Sequence, residues 1–429
     1  MTSPLILKED ERSFLVQVPV GVPLLSRHRY GSEGFQSWFL RHFAPEVPSR
    51  FCQSVAVGKQ SFLLVPKTAD PLPADRLSIK ESSAGRVTVL HPYLPRFDWE
   101  PPNEQETAAL PPLWLDSRAT NAYRWDHALG RAFPGWIGTR LGESILYQSE
   151  NRLSDAERSS LEASGRAMGL VAGYWKRHER AVQKKTKTDL CPELIWGDAS
   201  TVQGPIKESG VCYDIDFAEG YSFGLFLDQR ENRYRVRHNL IEAGFPVISP
   251  RVQHRPQVLN TFAYTCGFSV CAALAGAEVV SVDLSRKYLA WGKRNFVANG
   301  LDPEKHEFLY GDVFGWIKRF QRRERRFDLI VLDPPTFSRS KEWGAFKVTR
   351  DMAKLIEMVV PLLNSGGRLL VSSNAATWEP ELFTASIAKA IRTCHRRIGA
   401  QVYATQPWDF GVLRAAESYL KTWWLEVLD

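Results

Sequence analysis

Cysteine is scarce, and none of it is paired. Six cysteines (Cys52, Cys191, Cys212, Cys266, Cys271 and Cys394) are scattered over 429 residues, with no Cys-x-x-Cys among them. Such scatter offers neither a disulfide framework nor a zinc site, so no metal is expected, and it suits reduced thiols in a cytoplasm. Apolar runs of transmembrane length are missing, and the residues after Met1 turn acidic before any apolar stretch develops. A soluble cytoplasmic protein without a membrane partner is the expectation. Internal repeats and low-complexity tracts are also missing. Charge of one sign barely dominates: Lys+Arg 55 against Asp+Glu 48 leaves +7, with a pI near 9.0. That is a mild lean toward an acidic partner such as nucleic acid.

What is present reads as three parts. Residues 1–112 hold short apolar runs broken by Pro and Gly, with strand-like Phe62–Pro66 and Arg86–Leu90, and are read as a β-rich domain. Arg27-His28-Arg29-Tyr30 could touch RNA or be a solvated patch, and the Pro- and acid-rich stretch near 100–112 reads as a linker. Residues 113–207 read as a small α+β domain, with a helix opened by Ser154 and Glu157 in capping-box spacing. Basic runs at Lys176–Arg180 and Lys184–Lys187 are either a phosphate strip or a solvated helix end. From 208 to 429 strands and helices alternate, which signals an α/β domain with a mostly parallel, Rossmann-like sheet.

The chemistry concentrates at strand ends. Phe327-Asp328-Leu329-Ile330-Val331-Leu332 is a buried-strand pattern stopped by Asp333-Pro334-Pro335-Thr336-Phe337. Alone, this is either a Pro-capped turn or a site, since open α/β sheets bind ligands at the carboxyl ends of their strands. Upstream, a strand ends at Asp283, and Gly311-Asp312 follows another. A carboxylate at the end of the second strand can accept from both hydroxyls of a ribose. The loop Ala263-Tyr264-Thr265-Cys266-Gly267-Phe268 lacks Gly-x-Gly-x-x-Gly, and no Gly-x-x-x-x-Gly-Lys-Ser/Thr occurs. A pyrophosphate is therefore disfavoured, and a nucleoside without phosphates fits better, S-adenosylmethionine being the common one.

Here the chain resembles a family. Leu225-Phe-Leu-Asp-Gln-Arg230, Asn260-Thr-Phe-Ala-Tyr-Thr265, Val282–Leu289 and Asp333-Pro-Pro-Thr-Phe-Ser-Arg-Ser-Lys341 are similar to the class I methyltransferase domain of bacterial large-subunit (23S) rRNA methyltransferases. The guanine-N7 half of the bifunctional enzyme is nearest. Residues 117–205 resemble the middle domain of the cytosine-C5 relatives through Thr120–Arg124, Phe133-Pro-Gly135 and Leu194–Gly197. The resemblance implies S-adenosylmethionine as cofactor and large-subunit rRNA or its precursor particle as partner. It implies that Asp283 binds the ribose and Asp312 the adenine. Asn260, Phe262, Tyr264 and Gly267 would line the methionine end, and Asp228 and Arg230 would close over the cofactor. Arg230 could equally be a structural ion-pair partner. Asp333 to Phe337 would hold the target base, with Phe337 either stacking on it or packed beneath the loop.

Two departures from the family pattern bear on the target atom. Cys266 stands where the family usually has Gly, and Val371-Ser372-Ser373-Asn374 lacks the nucleophilic Cys of the cytosine-C5 relatives. C5 methylation needs a thiolate to add at C6, whereas guanine N7 already presents a lone pair. An exocyclic amino group competes with N7. Cytosine C5 and a non-catalytic RNA-binding or assembly factor on a methyltransferase scaffold are the remaining alternatives. RNA would be gripped by Lys318-Arg319, Arg322-Arg323, Arg325-Arg326, Arg392 and Arg396-Arg397, although cations at helix ends also answer the macrodipole.

Overall fold

A computed structural model of the chain describes residues 6–9, 13–18, 35–46, 52–57, 60–67, 78–81, 87–91, 94–99, 118–126, 136–177, 191–198, 205–219, 222–242, 244–340, 344–410 and 418–429. The Arg27–Tyr30 cluster, the 100–112 stretch and the Lys184–Lys187 run lie outside the described residues.

Seven strands share the main sheet: β1 (Gln257–Thr261), β2 (Glu278–Asp283), β3 (Glu307–Tyr310), β4 (Phe327–Leu332), β5 (Leu363–Ser373), β6 (Arg397–Ala404) and β7 (Lys421–Leu428). Their spatial order is β3-β2-β1-β4-β5-β7-β6. Strands β1 to β5 pair in parallel, and β7 runs antiparallel to both β5 and β6. This is the mostly parallel Rossmann-like sheet expected from the alternation of strands and helices. The helices are α1 (Arg230–Arg237), α2 (Gly267–Leu274), α3 (Arg286–Ala298), α4 (Val313–Arg322), α5 (Val348–Val359) and α6 (Pro380–Thr393).

Every residue of β4 is buried, because helices cover both faces. Leu329 and Val331 face a layer containing Val236, Phe268, Leu289 and Phe296. Phe327, Ile330 and Leu332 face Ile317, Met352, Leu355 and Ile387 on the other side. Each such side chain contributes about 1.5–3 kcal/mol through burial. The one acid inside the run, Asp328, sits at the opposite edge of the sheet from Asp333. Its Oδ2 accepts from the Gln257 N–H at 2.9 Å and its Oδ1 from Asn364 Nδ2 at 2.7 Å, so it clamps β1, β4 and β5 together.

Crossovers from β1 run toward β3, while those from β4 run toward β6. The order therefore reverses between β1 and β4, and a crevice opens above their carboxyl ends.

Upstream, strands 122–126, 137–141, 144–149, 172–177 and 193–197 form a five-stranded sheet backed by the helix Asp155–Ala167. Its capping box forms as read: Ser154 accepts from the Glu157 N–H, and the Glu157 carboxylate accepts from the Ser154 N–H at 2.9 Å. The reading of the first 112 residues as β-rich misses a helix, Phe35–Phe43. Phe35, Trp38 and Phe39 bury one face of it, and Phe35 and Trp38 lie 6.0 and 5.4 Å from the Trp408 ring. Arg41 reaches Glu231 of α1 at 2.8 Å, and His42 stacks on Tyr234 at 3.7 Å. Among the described residues, no helix is long and apolar enough to cross a membrane, and no group of three or more His, Cys, Asp or Glu could hold a metal.

Candidate active site

Strand register lines up the chemistry. Thr261 pairs with Val282 and with Leu332, and Leu332 pairs with Val371. The next residue on each strand, Phe262, Asp283, Asp333 and Ser372, therefore stands in one row along the carboxyl edge. Asp283 and Asp333 are two strand spacings apart, about 10 Å.

The loop after β1 is strained. Phe262, Tyr264 and Cys266 all hold left-handed backbone, with φ of 53°, 49° and 64°. Such residues cost roughly 1–2 kcal/mol each, so surrounding bonds must over-determine them. They do: the Ala263 N–H donates to the Val282 carbonyl at 3.0 Å, Thr265 Oγ1 donates to the Gly224 carbonyl at 2.5 Å, and Asn295 Nδ2 donates to the Thr265 carbonyl at 2.9 Å. Cys266 is fully buried, and its side chain turns away from the loop mouth onto Gly292 of α3. A Cβ at Gly292 would meet its sulfur at 2.4 Å, so the glycine that this Cys lacks is supplied by its neighbour. Gly267 opens α2, and Phe262 lies 5.8 Å from Phe346.

Asp283 accepts from the Tyr264 N–H through Oδ2 and from the Ser285 N–H through Oδ1, both at 2.8 Å. Burial pushes its carboxyl above the ordinary range, and the backbone N–H groups oppose the shift. One further lone pair on each oxygen can take two vicinal hydroxyls. Tyr264 lies between Phe226 and Tyr288, at 5.3 and 4.5 Å. Asp312 caps α4, its Oδ1 accepting from the Phe314 and Gly315 N–H groups, which leaves Oδ2 for another donor. The Gly311 N–H donates to the Asp283 carbonyl at 3.0 Å and ties the two carboxylates into one rim.

Two of the sequence-derived residues do not open onto this rim. Asn260 is buried, and its amide donates to Ser269 Oγ at 2.8 Å, so it locks β1 to α2 from within. Arg230 is also buried, with both terminal nitrogens on the Asp409 carboxylate at 3.0 and 2.6 Å. Of the two readings open for Arg230, the structural ion pair is the one that forms. An isolated buried guanidinium is too costly to leave unpaired, and the carboxylate it pairs with at hydrogen-bonding distance lies 179 residues away, with Glu231 at 3.8 Å beside it. Asp228, its near neighbour in sequence, does reach the crevice. It accepts from the Tyr419 hydroxyl at 3.0 Å, and burial raises its carboxyl.

Asp333 stands beside Asp228 and next to Ser372 in the row, and Ser372 and Gln229, which are hydrogen-bonded to each other at 2.7 Å, favour its ionised form. Burial, and then the Asp228 charge, push its carboxyl up to about 7. Pro334 and Pro335 end the strand, and Thr336 Oγ1 donates to Asn374 Oδ1 at 2.8 Å, which fixes the loop to the end of β5. Phe337 is 53% exposed and begins a hairpin, Phe337–Ser340 with Gly344–Lys347, so it is not a core aromatic beneath the loop. No thiol stands in the row with Asp333. Burial pushes Cys266 up to about 12 and Cys271 up to about 11, which makes both inert.

The basic clusters are not at the crevice. Arg322 ends α4, and Arg323, Arg325 and Arg326 lie between it and β4, at the amino edge of the sheet. Arg397, which opens β6, and Arg396 just before it lie on the same edge, a strand length of about 20 Å from Asp333. Several are committed there: Arg325 pairs with Glu307 at 2.7 Å, and Arg396 donates to the Leu428 carbonyl at 2.9 Å. Tyr419 bonds Asp228, and Thr422 lies behind Ser372; neither was signalled as a site residue by spacing, whereas the segments Leu225–Arg230 and Val371–Asn374 had placed Gln229 and Ser372 near the chemistry.

Comparison with known proteins agrees with this geometry. The S-adenosylmethionine-dependent methyltransferase family matches residues 134–400. The chain is 31% identical over 281 residues to ribosomal RNA large subunit methyltransferase I of Escherichia coli O139:H28, covering 65% of this chain and 67% of that protein. It is 42% identical over 177 residues to ribosomal RNA large subunit methyltransferase K/L of Psychrobacter cryohalolentis, which is 40% of this chain but 21% of that protein. Among solved structures, a methyltransferase in complex with SAH superposes with a TM-score of 0.60 at 28% identity, covering 72% of this chain and 76% of that one. A SAM-dependent methyltransferase from Streptococcus mutans gives 0.60 at 23% identity over 92% of this chain and 98% of that one, a likeness of fold. The chain is an enzyme that uses S-adenosylmethionine and belongs to the S-adenosylmethionine-dependent methyltransferase family.

Proposed function

We propose that this enzyme methylates a nitrogen of large-subunit ribosomal RNA, guanine N7 in the favoured form. The observation that carries the reading is the row holding Asp283 and Asp333 about 10 Å apart with no thiol beside the second acid. The printed names of the relatives support large-subunit rRNA as the substrate class.

In this reading Asp283 accepts from the ribose hydroxyls and Asp312 Oδ2 from the adenine amine. The strained loop from Phe262 to Gly267 and the aromatic Tyr264 border the methionine end, with Asn260 bracing them from behind. Asp228 borders the cofactor from the α1 side, and Arg230 holds that segment in place through Asp409. S-adenosylmethionine supplies an electrophilic methyl on a sulfonium. Asp333 and the rigid Pro334-Pro335 hold the target base so that its nitrogen faces that methyl. Orientation of this kind is worth several kcal/mol. Methylation at N7 leaves the purine cationic, and the Asp333 carboxylate offsets the developing charge. Cytosine C5 would need a thiolate, and the residue next to Asp333 in the row, Ser372, carries a hydroxyl. Phe337 stacks on the base or its neighbour, while Arg339 and Lys347 on the same hairpin meet phosphates. Residues 1–112, 113–207 and 208–429 act as a substrate arm, a spacer and the catalytic domain.

The test is mass spectrometry of 23S rRNA nucleosides from a deletion strain, with methyl transfer to that rRNA by purified protein as the complement. Loss of a methylated guanine supports the proposal. Loss of 5-methylcytosine instead would overturn the nitrogen assignment.

A further inference from the structure

Three aromatic rings stand exposed among the described residues, and all three border the carboxyl edge of the sheet. They are Phe226 beside Tyr264, Phe337 after the two prolines, and Tyr310, at 43, 53 and 50% exposed. Single exposed apolar side chains are ordinary on a protein surface, but three rings along one edge form a pattern. Phe226 and Phe337 flank the site already described, and Tyr310 stands apart from it. Tyr310 pairs with Asp283 in the β2–β3 register, so it ends the row of Asp333 on the outermost strand. Three strand spacings, about 14 Å, separate the two.

Two cations make this end of the sheet a continuous strip. Arg286 of α3 lies over the Tyr310 ring at 4.5 Å, Trp316 Nε1 of α4 donates to the Tyr310 carbonyl at 3.1 Å, and Arg319 lies over the Trp316 ring at 4.6 Å. Both guanidiniums are exposed, and among the described residues neither pairs with a carboxylate. Glu307, the acid within β3, is held by Arg325 at 2.7 Å. Helix dipoles account for only one of the two cations. Arg319 stands in the last turn of α4, where a cation is favoured, but Arg286 opens α3, where the positive end of the dipole opposes it. A cation kept there against the dipole, flat on an exposed ring, suits an external anion.

We propose that Tyr310, Arg286, Trp316 and Arg319 bind a single-stranded segment of the substrate RNA adjoining the target nucleotide. Stacking on a side chain requires a base that is out of a duplex, and the guanidiniums meet the phosphates between such bases. The segment adjoins the target because the strip begins in the row of Asp333. Asp283 and Asp312, the acids nearest Tyr310, turn to the cofactor in the reading given above, which leaves the outer cations for phosphates. The proposal rests on that reading for RNA as the partner and adds where the strand runs.

The experiment is filter retention of in vitro transcribed 23S rRNA by the full-length protein across a series of KCl concentrations, with S-adenosylmethionine calorimetry on every variant. Tyr310→Ala is expected to bind this RNA about tenfold more weakly, and Tyr310→Phe to bind it like wild type. Arg286→Gln with Arg319→Gln should flatten the slope of log K against log salt by about 1.4, the share of two phosphates on a single strand. Lys354→Gln with Lys389→Gln removes the same charge from exposed positions on α5 and α6 and should leave affinity and slope in place. Unchanged binding in both strip variants, or an equal change in the lysine pair, overturns the proposal. A Tyr310→Ala protein that loses S-adenosylmethionine affinity but keeps RNA affinity assigns the ring to the cofactor and overturns it as well. Retained binding to free rRNA with lost binding to large-subunit precursor particles would make the partner a ribosomal protein, which also overturns it. The target atom is judged separately: 5-methylcytosine missing from the deletion strain would refute the nitrogen assignment and leave the strip standing.

Discussion

Replacing Asp333 with asparagine separates the cost of its charge from the use of its shape. The amide is nearly isosteric, keeps an oxygen to accept with, and can turn its NH2 toward Asp228. What it loses is a negative charge in a desolvated niche beside a second acid. Folding moves this carboxyl from 3.8 to about 7. The folded state therefore binds more protons than the unfolded chain between those values, and wild-type stability falls as pH rises through that window. Above pH 7 the penalty reaches about 4 kcal/mol. Asp333→Asn carries no such penalty, so it should match wild type near pH 4 and exceed it by up to about 4 kcal/mol at pH 8.5. Urea denaturation at the two pH values measures the difference directly. The same variant should lose methyl transfer on the order of 10²-fold, since the offsetting charge is gone. An Asn–Asp stability difference that is equal at both pH values would refute the argument from desolvation. Gained stability with full activity would refute the charge role and favour an amino target, which needs an acceptor but no charge.

Other consequences can be checked in the same preparations. Asp283→Ala leaves the Tyr264 and Ser285 N–H groups without their acceptor and removes the proposed ribose partner. Calorimetry should show S-adenosylmethionine binding weakened by more than tenfold, a loss of about 1.5–3 kcal/mol. Arg230→Met removes the bidentate partner of the buried Asp409, leaving it the Arg124 N–H at 2.9 Å, and should cost about 3–5 kcal/mol in urea unfolding. Calorimetry on the folded fraction should show S-adenosylmethionine binding weakened less than in Asp283→Ala, because Arg230 faces away from the rim and acts only by holding the Asp228 segment. Phe337→Ala should leave the melting temperature where it is, since the ring is exposed, yet weaken rRNA binding in a filter assay by about 1–3 kcal/mol. Gly292→Ala drives a methyl into the Cys266 sulfur and should lower the melting temperature, and adding Cys266→Gly should restore it.

The amino acid sequence by itself determined the sheet and where its acids stand. A strand that alternates between two helix layers is a local pattern, and a carboxylate followed by two prolines must lie at its end. Asp283, Asp312 and Asp333 could thus be placed on one edge without coordinates, and the capping box at Ser154 follows from four residues. Tertiary structure decided what depends on distant partners. Arg230 reads equally well as a cofactor clamp or an ion pair until Asp409 arrives beside it. The cations near Arg322 and Arg396 look like an RNA grip because a helix end carries the same charges at either edge of a sheet, and only the crossover direction puts them far from Asp333. Cys266 departs from a glycine pattern, and the space that makes this harmless belongs to Gly292, on another helix. A buried set of hydrogen bonds beside Asp333 was the least legible of all. Gln229, Thr422 and Trp424 each read as ordinary core residues, and the bonds that join them through Asn232 and Ser372 form only when three distant segments pack together.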